Sequence, residues 1–271
     1  MTNFKSDSFL KKAGRVRELF FPADCALCGK TLLSDNDVFY GLCSSCFNLF
    51  QVEDVPRCSF CGKPLISEKN YCMSCRKSFK TEDSLSGITA ANKSSFLFDA
   101  AFVLFPYMGI YLDLLKAYKF NRFKNLSRFF ALKFLEARKL APFLKSAYTA
   151  GESDSLSNDG ESSISWVPVP PRPGKIKESA WDQVEEIARV LSKTITVERC
   201  LKRLPSQSQK KLDKANRLTN LQGKIKCVKK SPKNVVLFDD VFTSGATLSV
   251  CAGALKESGA EKVYGFCLFY D

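Results

Sequence analysis

Apolar residues in the larger, C-terminal part of the chain occur in two alternating kinds of segment. Short apolar runs predict strands over residues 98–107, 166–169, 194–197, 234–238 and 262–269. Longer segments with apolar residues three or four positions apart predict helices over residues 108–140, 179–192 and 246–258, the first interrupted near 121–125. Strands that alternate with helices indicate an α/β fold whose mostly parallel sheet is flanked by helices.

Cysteines, rather than apolar periodicity, organise residues 25–80. Eight of them form four Cys-x-x-Cys pairs: Cys25/Cys28, Cys43/Cys46, Cys58/Cys61 and Cys72/Cys75. Two intervening residues let both sulfurs face one ion, so two pairs supply the four thiolates of a tetrahedral zinc site. We therefore predict a small Cys-rich double zinc ribbon with two structural Zn²⁺ sites, paired either sequentially or interleaved as a cross-brace.

A disulfide framework is the competing interpretation of these cysteines. The sequence before them has no uninterrupted apolar signal region, and we expect a cytoplasmic protein, in which reduced thiols favour metal over disulfides. No apolar run reaches the roughly 20 residues that cross a bilayer. Around the ribbon we expect an amphipathic lead-in over 1–24, and after it an α/β domain over 96–271. A Ser-, Gly- and acid-rich stretch predicts a disordered insert over 149–165.

The charge of the chain favours acidic ligands. Its formal net charge is +13. Residues 199–233 contain twelve Lys or Arg against the single acid Asp213. Such a segment is typical of phosphate or nucleic-acid binding, although a solvated basic surface is the competing interpretation. The chain contains no histidine, which excludes Ser-His-Asp and Cys-His nucleophiles and any zinc site with a histidine ligand.

One strand and the turn after it combine the groups that bind a phosphorylated sugar. The strand predicted at 234–238 runs into Asp239 and Asp240, and a polar turn then opens a helix. Free backbone N–H groups, hydroxyls and the helix dipole suit a phosphate, and glycine allows its close approach. The two acids can accept hydrogen bonds from sugar hydroxyls. An ordinary β-turn-α unit capped by Thr243 or Ser244 is the alternative, which the cost of burying adjacent carboxylates disfavours.

Three segments in the α/β part resemble motifs of the ComF family, in which a double zinc ribbon precedes a type I phosphoribosyltransferase domain. DDVFTSGATL (239–248) resembles the signature that binds phosphoribosyl pyrophosphate (PRPP). WVPVPPRPGKIKESAWDQ (166–183) and QKKLDKANRLTNLQGKI (209–225) resemble two further motifs, the second through Gln209, Leu212, Arg217 and Asn220. With the cysteine pairs, the resemblance covers roughly residues 20–271.

The resemblance implies a type I phosphoribosyltransferase-like sheet and a role for each loop. Asp239 and Asp240 would bind the ribose hydroxyls, and a five-residue loop would wrap the 5-phosphate: Thr243, Ser244, Gly245, Ala246 and Thr247. Pro170 and Arg172 would face pyrophosphate, bridged by Mg²⁺. Lys175 and Lys177 are further candidates for neutralising its charge.

The chain also departs from the family pattern. Arg172 stands where the family often has His, and Ser179-Ala180 stands where it often has Arg-Gly. PRPP binding is therefore expected more firmly than turnover, and no feature names an acceptor. Partners implied by the resemblance are PRPP, single-stranded DNA and a helicase of competence-related DNA uptake. The alternative is a catalytically silent zinc-ribbon protein that binds nucleic acid or serves as a scaffold.

Overall fold

The computed structural model describes residues 23–79, 96–144, 164–205 and 223–271. Most of the predicted lead-in and of the insert lies outside these ranges, as does the motif between Gln209 and Asn220. Ile164 and Ser165, which the composition assigns to the insert, begin a strand instead. No helix in the described ranges is long and apolar enough to cross a membrane.

A four-stranded parallel sheet forms the centre of the α/β part. The strands are β1 (Ala100–Pro106), β2 (Ile164–Pro168), β3 (Leu201–Arg203), β4 (Ile225–Cys227), β5 (Asn234–Phe242) and β6 (Lys262–Tyr270). The helices include α1 (Asp35–Tyr40), α2 (Ser44–Phe47), α3 (Met73–Phe79), α4 (Gly109–Lys119), α5 (Leu126–Ala137), α6 (Lys175–Ser179), α7 (Gln183–Leu191) and α8 (Ala246–Glu257). The sheet order is β1-β6-β5-β2, and β3 and β4 pair separately in antiparallel fashion. The predicted α/β fold is confirmed.

Successive residues of the sheet enter two different cores. Val236 and Phe238 of β5 pack in the core formed with α4, α5 and α7, here called the α5 face. Val235 and Leu237 pack in the core formed with α8 and β4, here called the α8 face. A strand covered on both faces has no polar alternation, which is why an unbroken apolar run predicted it.

The strand predicted at 194–197 does not form, since Val197 makes only an isolated bridge with Trp166. Two elements also have boundaries that differ by four residues from the prediction. β5 continues to Phe242 because β6 runs beside it, with Val241 opposite Phe269. Asp239 and Asp240 therefore lie within the strand. The helix predicted from residue 179 begins only at Gln183, because the chain adopts a left-handed conformation at Ala180 (φ 49°). The carboxylate of Asp182 then caps α7 by accepting the N–H groups of Val184 and Glu185 at 3.0 and 2.9 Å.

The two halves of the cysteine module lie on opposite faces of the sheet. Cys25 and Cys46 belong to the core of the α5 face, whereas Cys58 and Cys75 belong to the core of the α8 face. The first half is fastened to α5, where Arg128 donates to the carbonyl of Phe39 at 3.1 Å. The module therefore straddles the sheet and contributes to both cores.

The second half of the module also covers one edge of the sheet. β1 is an edge strand, and its Ala101 N–H donates to the carbonyl of Phe60 at 2.6 Å. Arg57 Nη1 donates to the carbonyl of Val103 at 2.8 Å. At Gly62 a Cβ would stand 2.6 Å from Phe102 Cα, so only glycine allows this close approach of the two backbones.

Candidate functional site

The eight paired cysteines form two separate clusters. Cys25, Cys28, Cys43 and Cys46 gather in one, and Cys58, Cys61, Cys72 and Cys75 in the other, with the ligand atoms of each cluster within 4.8 Å of one another. The pairing is therefore sequential, and the cross-brace alternative is wrong. Sulfurs of different pairs approach to 3.7 Å at Cys28/Cys43 and 3.6 Å at Cys61/Cys72.

These clusters fit zinc. A tetrahedron with Zn–S bonds of about 2.3 Å has edges of about 3.8 Å, close to the observed sulfur separations. Four sulfur ligands leave no open coordination position, so the zinc expected at either site is structural.

The two sites are built by a repeated sequence. DCALCGKTLLS begins at Asp24 and RCSFCGKPLIS begins at Arg57, and both fold into the same knuckle. Gly29 N–H donates to the carbonyl of Cys25 at 3.0 Å, and Gly62 N–H donates to that of Cys58 at 2.9 Å. Both glycines are left-handed, with φ of 71° and 70°. Each knuckle residue of one ribbon therefore has an equivalent residue in the other ribbon.

Three cysteines outside the clusters lie in the core. Cys200, Cys251 and Cys267 are fully buried, and burial raises the pKa of each thiol. A neutral buried thiol behaves as a small apolar residue.

A cleft of about 350 Å³ lies at the carboxyl ends of the adjacent strands β2 and β5. The lining includes four of the predicted substrate-site residues: Pro170, Arg172, Asp239 and Thr247. Lys175 and Arg203 add two further cations to the wall. This volume is within the range of small-molecule sites, and such sites occur at the carboxyl ends of parallel strands.

The two aspartates of β5 have different surroundings. Asp239 lines the cleft, and its Oδ1 accepts the N–H of Asp240 at 2.8 Å. Burial raises the pKa of Asp239 well above its usual value, and the neighbouring Asp240 carboxylate raises it further. Asp240, 7% exposed, instead contacts Lys119 Nζ at 2.7 Å and Gln183 Nε2 at 2.6 Å through Oδ2. The two neighbouring carboxyl groups thus differ: Asp240 contacts a lysine ammonium, whereas the buried Asp239 has a raised pKa.

A polar network continues from Asp240 to the other wall of the cleft. Gln183 Oε1 accepts from Lys175 Nζ at 2.5 Å, and the same ammonium contacts Asp182 Oδ2 at 2.6 Å. Sequence reasoning missed Lys119 and Gln183 because their contacts with Asp240 join residues more than fifty positions apart. The only signal for Gln183 was its place at the end of the 166–183 motif.

The turn after β5, here called the β5–α8 loop, comprises Thr243, Ser244 and Gly245. Gly245 is left-handed (φ 74°) and immediately precedes α8. Ser244 Oγ accepts the N–H of Ala246 at 3.4 Å. N–H groups in the first turn of a helix have no acceptor within the helix, so this loop presents donors and a positive dipole end. Thr243 is exposed and Ala246 is buried.

Arg172 lies on the exposed side of the cleft. Its Nη2 contacts Glu178 Oε2 of α6 at 2.5 Å, and both side chains are more than half exposed. A surface pair of this kind contributes little stability, so the guanidinium can exchange its partner for an anionic ligand at small cost. α6 ends at Ser179, and the following Ala180, its C-cap, is one of the three positions at which the chain departs from the family pattern.

The fold and these sites define a class of protein: a zinc-ribbon module with two tetracysteine centres joined to a parallel α/β domain. Residues 16–76 match the family model described as a double zinc ribbon domain. Over 255 residues the chain is 26% identical to the Competence protein ComFC of Streptococcus pneumoniae (strain ATCC BAA-255 / R6). That similarity spans 90% of this chain and 98% of the relative.

Proposed function

We propose that this chain is a ComF-like protein that binds PRPP, with Mg²⁺, in the cleft between β2 and β5. The observation that carries the proposal is the convergence of Asp239, Arg172 and Thr247 on one cleft. Arg172 comes from the 166–183 motif, whereas Asp239 and Thr247 come from the 239–248 motif, so two parts of the resemblance meet in this cleft. The similarity to a protein named for competence supports the same assignment.

The cleft offers complementary groups for each part of PRPP. The helix start at Ala246 and Thr247 offers N–H donors to the 5-phosphate. Asp239 accepts hydrogen bonds from the ribose hydroxyls, and Asp240 holds Lys119 beside it. Arg172 and Lys175 neutralise the pyrophosphate, together with the Mg²⁺ that accompanies it. Lys177 and Ser179 belong to the same short helix, α6, that begins at Lys175.

Any transfer of the phosphoribosyl group would develop positive charge on the ribose. Asp239 would stabilise that charge in its ionised form, and the cations of the cleft would stabilise the departing pyrophosphate. Because Ser179-Ala180 lacks the cation of Arg-Gly, we expect binding to exceed turnover. Turnover is measured directly as the release of pyrophosphate in the presence of PRPP and Mg²⁺.

A double substitution tests PRPP binding. Asp239→Asn with Asp240→Asn removes the two carboxylates while preserving side-chain volume, and calorimetric binding of PRPP with Mg²⁺ should be lost. Asp113→Asn with Glu261→Gln is the matched control, because both acids are exposed in surface ion pairs away from the cleft lining. Unchanged affinity in the cleft variant would falsify the proposal.

Binding of single-stranded nucleic acid is a second candidate function, favoured by the β3–β4 pair. Lys202 lies directly opposite Lys226, and both are exposed. Like charges facing each other across two strands are destabilising, which a polyanion bound there would relieve. Neighbouring Arg203 lines the cleft, so the two surfaces adjoin. A helicase docked on the zinc ribbons stays a prediction.

Salt dependence tests this second function. Lys202→Gln with Lys226→Gln should weaken binding of a fluorescent single-stranded oligonucleotide and flatten its salt dependence. Lys229→Gln with Lys233→Gln is the control, because those lysines pair with Glu198 and Glu261. No measurable affinity of the unmodified protein even at low salt contradicts the candidate.

A further inference from the structure

We infer that Phe60, inside the second zinc site, is a positioning residue for the β5–α8 loop. Zinc at that site would then be required to form the phosphate grip, whereas zinc at the first site would not. The inference rests on the proposed function for its ligand, but its structural part stands on contacts that can be tested without PRPP.

Phe60 lies between the two cysteines of a knuckle. Cys58 and Cys61 flank it, and its side chain is 1% exposed. Two thiolates bound to one ion fix the backbone of the two residues between them, so the direction of the ring is set by the metal site. Because the knuckle backbone is also hydrogen-bonded to β1 at Ala101, the ring cannot shift independently of the sheet.

A continuous group of aromatic rings joins Phe60 to the loop. Phe60 contacts Phe96 and Phe98, with 5.3 Å between ring centroids in both cases. Phe98 in turn packs edge-on against Phe242 at the end of β5, at 6.3 Å. The segment that carries these rings is fastened to α8, since Leu97 N–H donates to Ser249 Oγ at 3.0 Å.

The rings end against the backbone of Gly245. A Cβ at this residue would stand 3.0 Å from Phe96 Cε1 and 3.2 Å from Phe242 Cζ. The two rings therefore occupy the space beside the glycine and limit how far the loop can move toward the core. In close-packed interiors such contacts transmit displacement, because there is no free volume to absorb it.

The first zinc site has no equivalent path among the described residues. Leu27 is the repeat counterpart of Phe60, and it packs against the core of the α5 face. The aromatic contacts of that half lead from Phe47 to Phe129 in α5. Loss of order at the first site should therefore affect α5 and leave the β5–α8 loop unchanged.

Matched substitutions in the two ribbons test the inference. Phe60→Ala removes the contact with Phe96, and we expect the affinity for PRPP with Mg²⁺ to fall at least tenfold in calorimetry. Leu27→Ala should leave that affinity within twofold, and Phe60→Leu should be intermediate. Zinc content measured by mass spectrometry should remain at two ions per chain in every variant, which separates ring contacts from metal loss.

Hydrogen exchange provides a readout that needs no ligand. Backbone amides of residues 243–249 should exchange about tenfold faster in Phe60→Ala than in the unmodified protein, with α5 unchanged. Leu27→Ala should leave exchange at residues 243–249 unchanged and accelerate exchange in α5. If Phe60→Ala does not fold, the same comparison is made with Phe60→Leu.

The outcomes separate the two claims. Unchanged exchange at 243–249 in the folded Phe60 variant, or an equal effect of Leu27→Ala, overturns the coupling. Faster exchange in a chain whose unmodified form binds no PRPP supports the coupling and removes the proposed function. Faster exchange with weakened binding supports both.

Discussion

At Asp239 the proposed role in binding and the stability of the fold make opposite demands. The pKa of this residue is raised by burial and by Asp240, so the ionised form is disfavoured in the folded protein. A carboxyl whose folded pKa lies above its unfolded pKa stabilises the fold below the unfolded pKa, and that contribution is lost as the pH rises through the folded pKa. Above the unfolded pKa of this carboxyl, Asp239 therefore lowers the stability of the unliganded protein.

Asp239→Asn should stabilise the unliganded protein while weakening PRPP binding. Asn keeps an oxygen that accepts the Asp240 N–H and removes the charge. We expect the free energy of unfolding at pH 7 to rise by at least about 1 kcal/mol, because burying a charged group costs more than burying a neutral amide. Urea unfolding of both proteins across pH measures the difference, which should shrink as the pH falls. A variant less stable than the unmodified protein at pH 7 contradicts this account.

Ala180 is a second residue where the local conformation and the side chain disagree. Its φ of 49° is left-handed, at the end of α6, where glycine has no steric penalty. Ala180→Gly should therefore raise the free energy of unfolding by about 0.5–1 kcal/mol, after the entropy that glycine adds to the unfolded chain. Ala188→Gly, inside α7, should lower it by about 1 kcal/mol. Destabilisation by both substitutions would show that Ala180 is not strained.

Individual site residues could be predicted from the sequence where their signal is local, but not where it depends on long-range contacts. Spacing alone indicated all eight cysteine ligands, because each pair is local. Asp239 was indicated by its place after an apolar run. Lys119 was not, since its contact with Asp240 depends on how α4 packs against the sheet. Charge and burial around one carboxylate follow from the fold, not from its neighbours in the chain.

Among the elements, the two zinc knuckles are the most informative, because they repeat the same local structure in different surroundings. Gly29 and Gly62 have the same left-handed conformation, but a Cβ at Gly29 would contact nothing within 4 Å. At Gly62 it would overlap the backbone of β1. The difference between the two positions is therefore the docking of the second knuckle.

Alanine at each glycine separates conformation from docking. Gly29→Ala should lower the free energy of unfolding by about 1–2 kcal/mol, the cost of a left-handed alanine. Gly62→Ala should cost at least about 1 kcal/mol more, because backbone at β1 must also move. Urea unfolding of zinc-loaded protein measures both. Equal losses of unfolding free energy in the two variants would mean that the second knuckle does not pack closely against β1.

The elements that sequence predicted well are those whose pattern is local and strong. Buried strands such as β6 were predicted because both faces are covered and the run is apolar. The β3–β4 pair was missed because each strand has three residues and carries lysine on its exposed side. The extension of β5 was missed because two aspartates interrupt its apolar run, although the neighbouring strand keeps them in register.

At the scale of the whole molecule, the zinc module and the α/β part share their cores. Removing residues 1–95 should therefore not yield an independent domain. The remaining chain would lose Phe60 and Phe50 from the two cores, and core aromatic losses typically cost about 3–5 kcal/mol each. Circular dichroism and thermal unfolding of the fragment 96–271 should show loss of cooperative unfolding. A fragment that unfolds cooperatively near the temperature of the full chain contradicts this.

The hydrogen bonds between the second knuckle and β1 also have a consequence for behaviour in solution. A sheet edge with free N–H and C=O groups is a template on which another chain can add a strand. The knuckle occupies those groups at Ala101 and Val103. Removal of zinc from the second site would therefore expose the backbone groups of this edge, and we expect the zinc-depleted chain to self-associate.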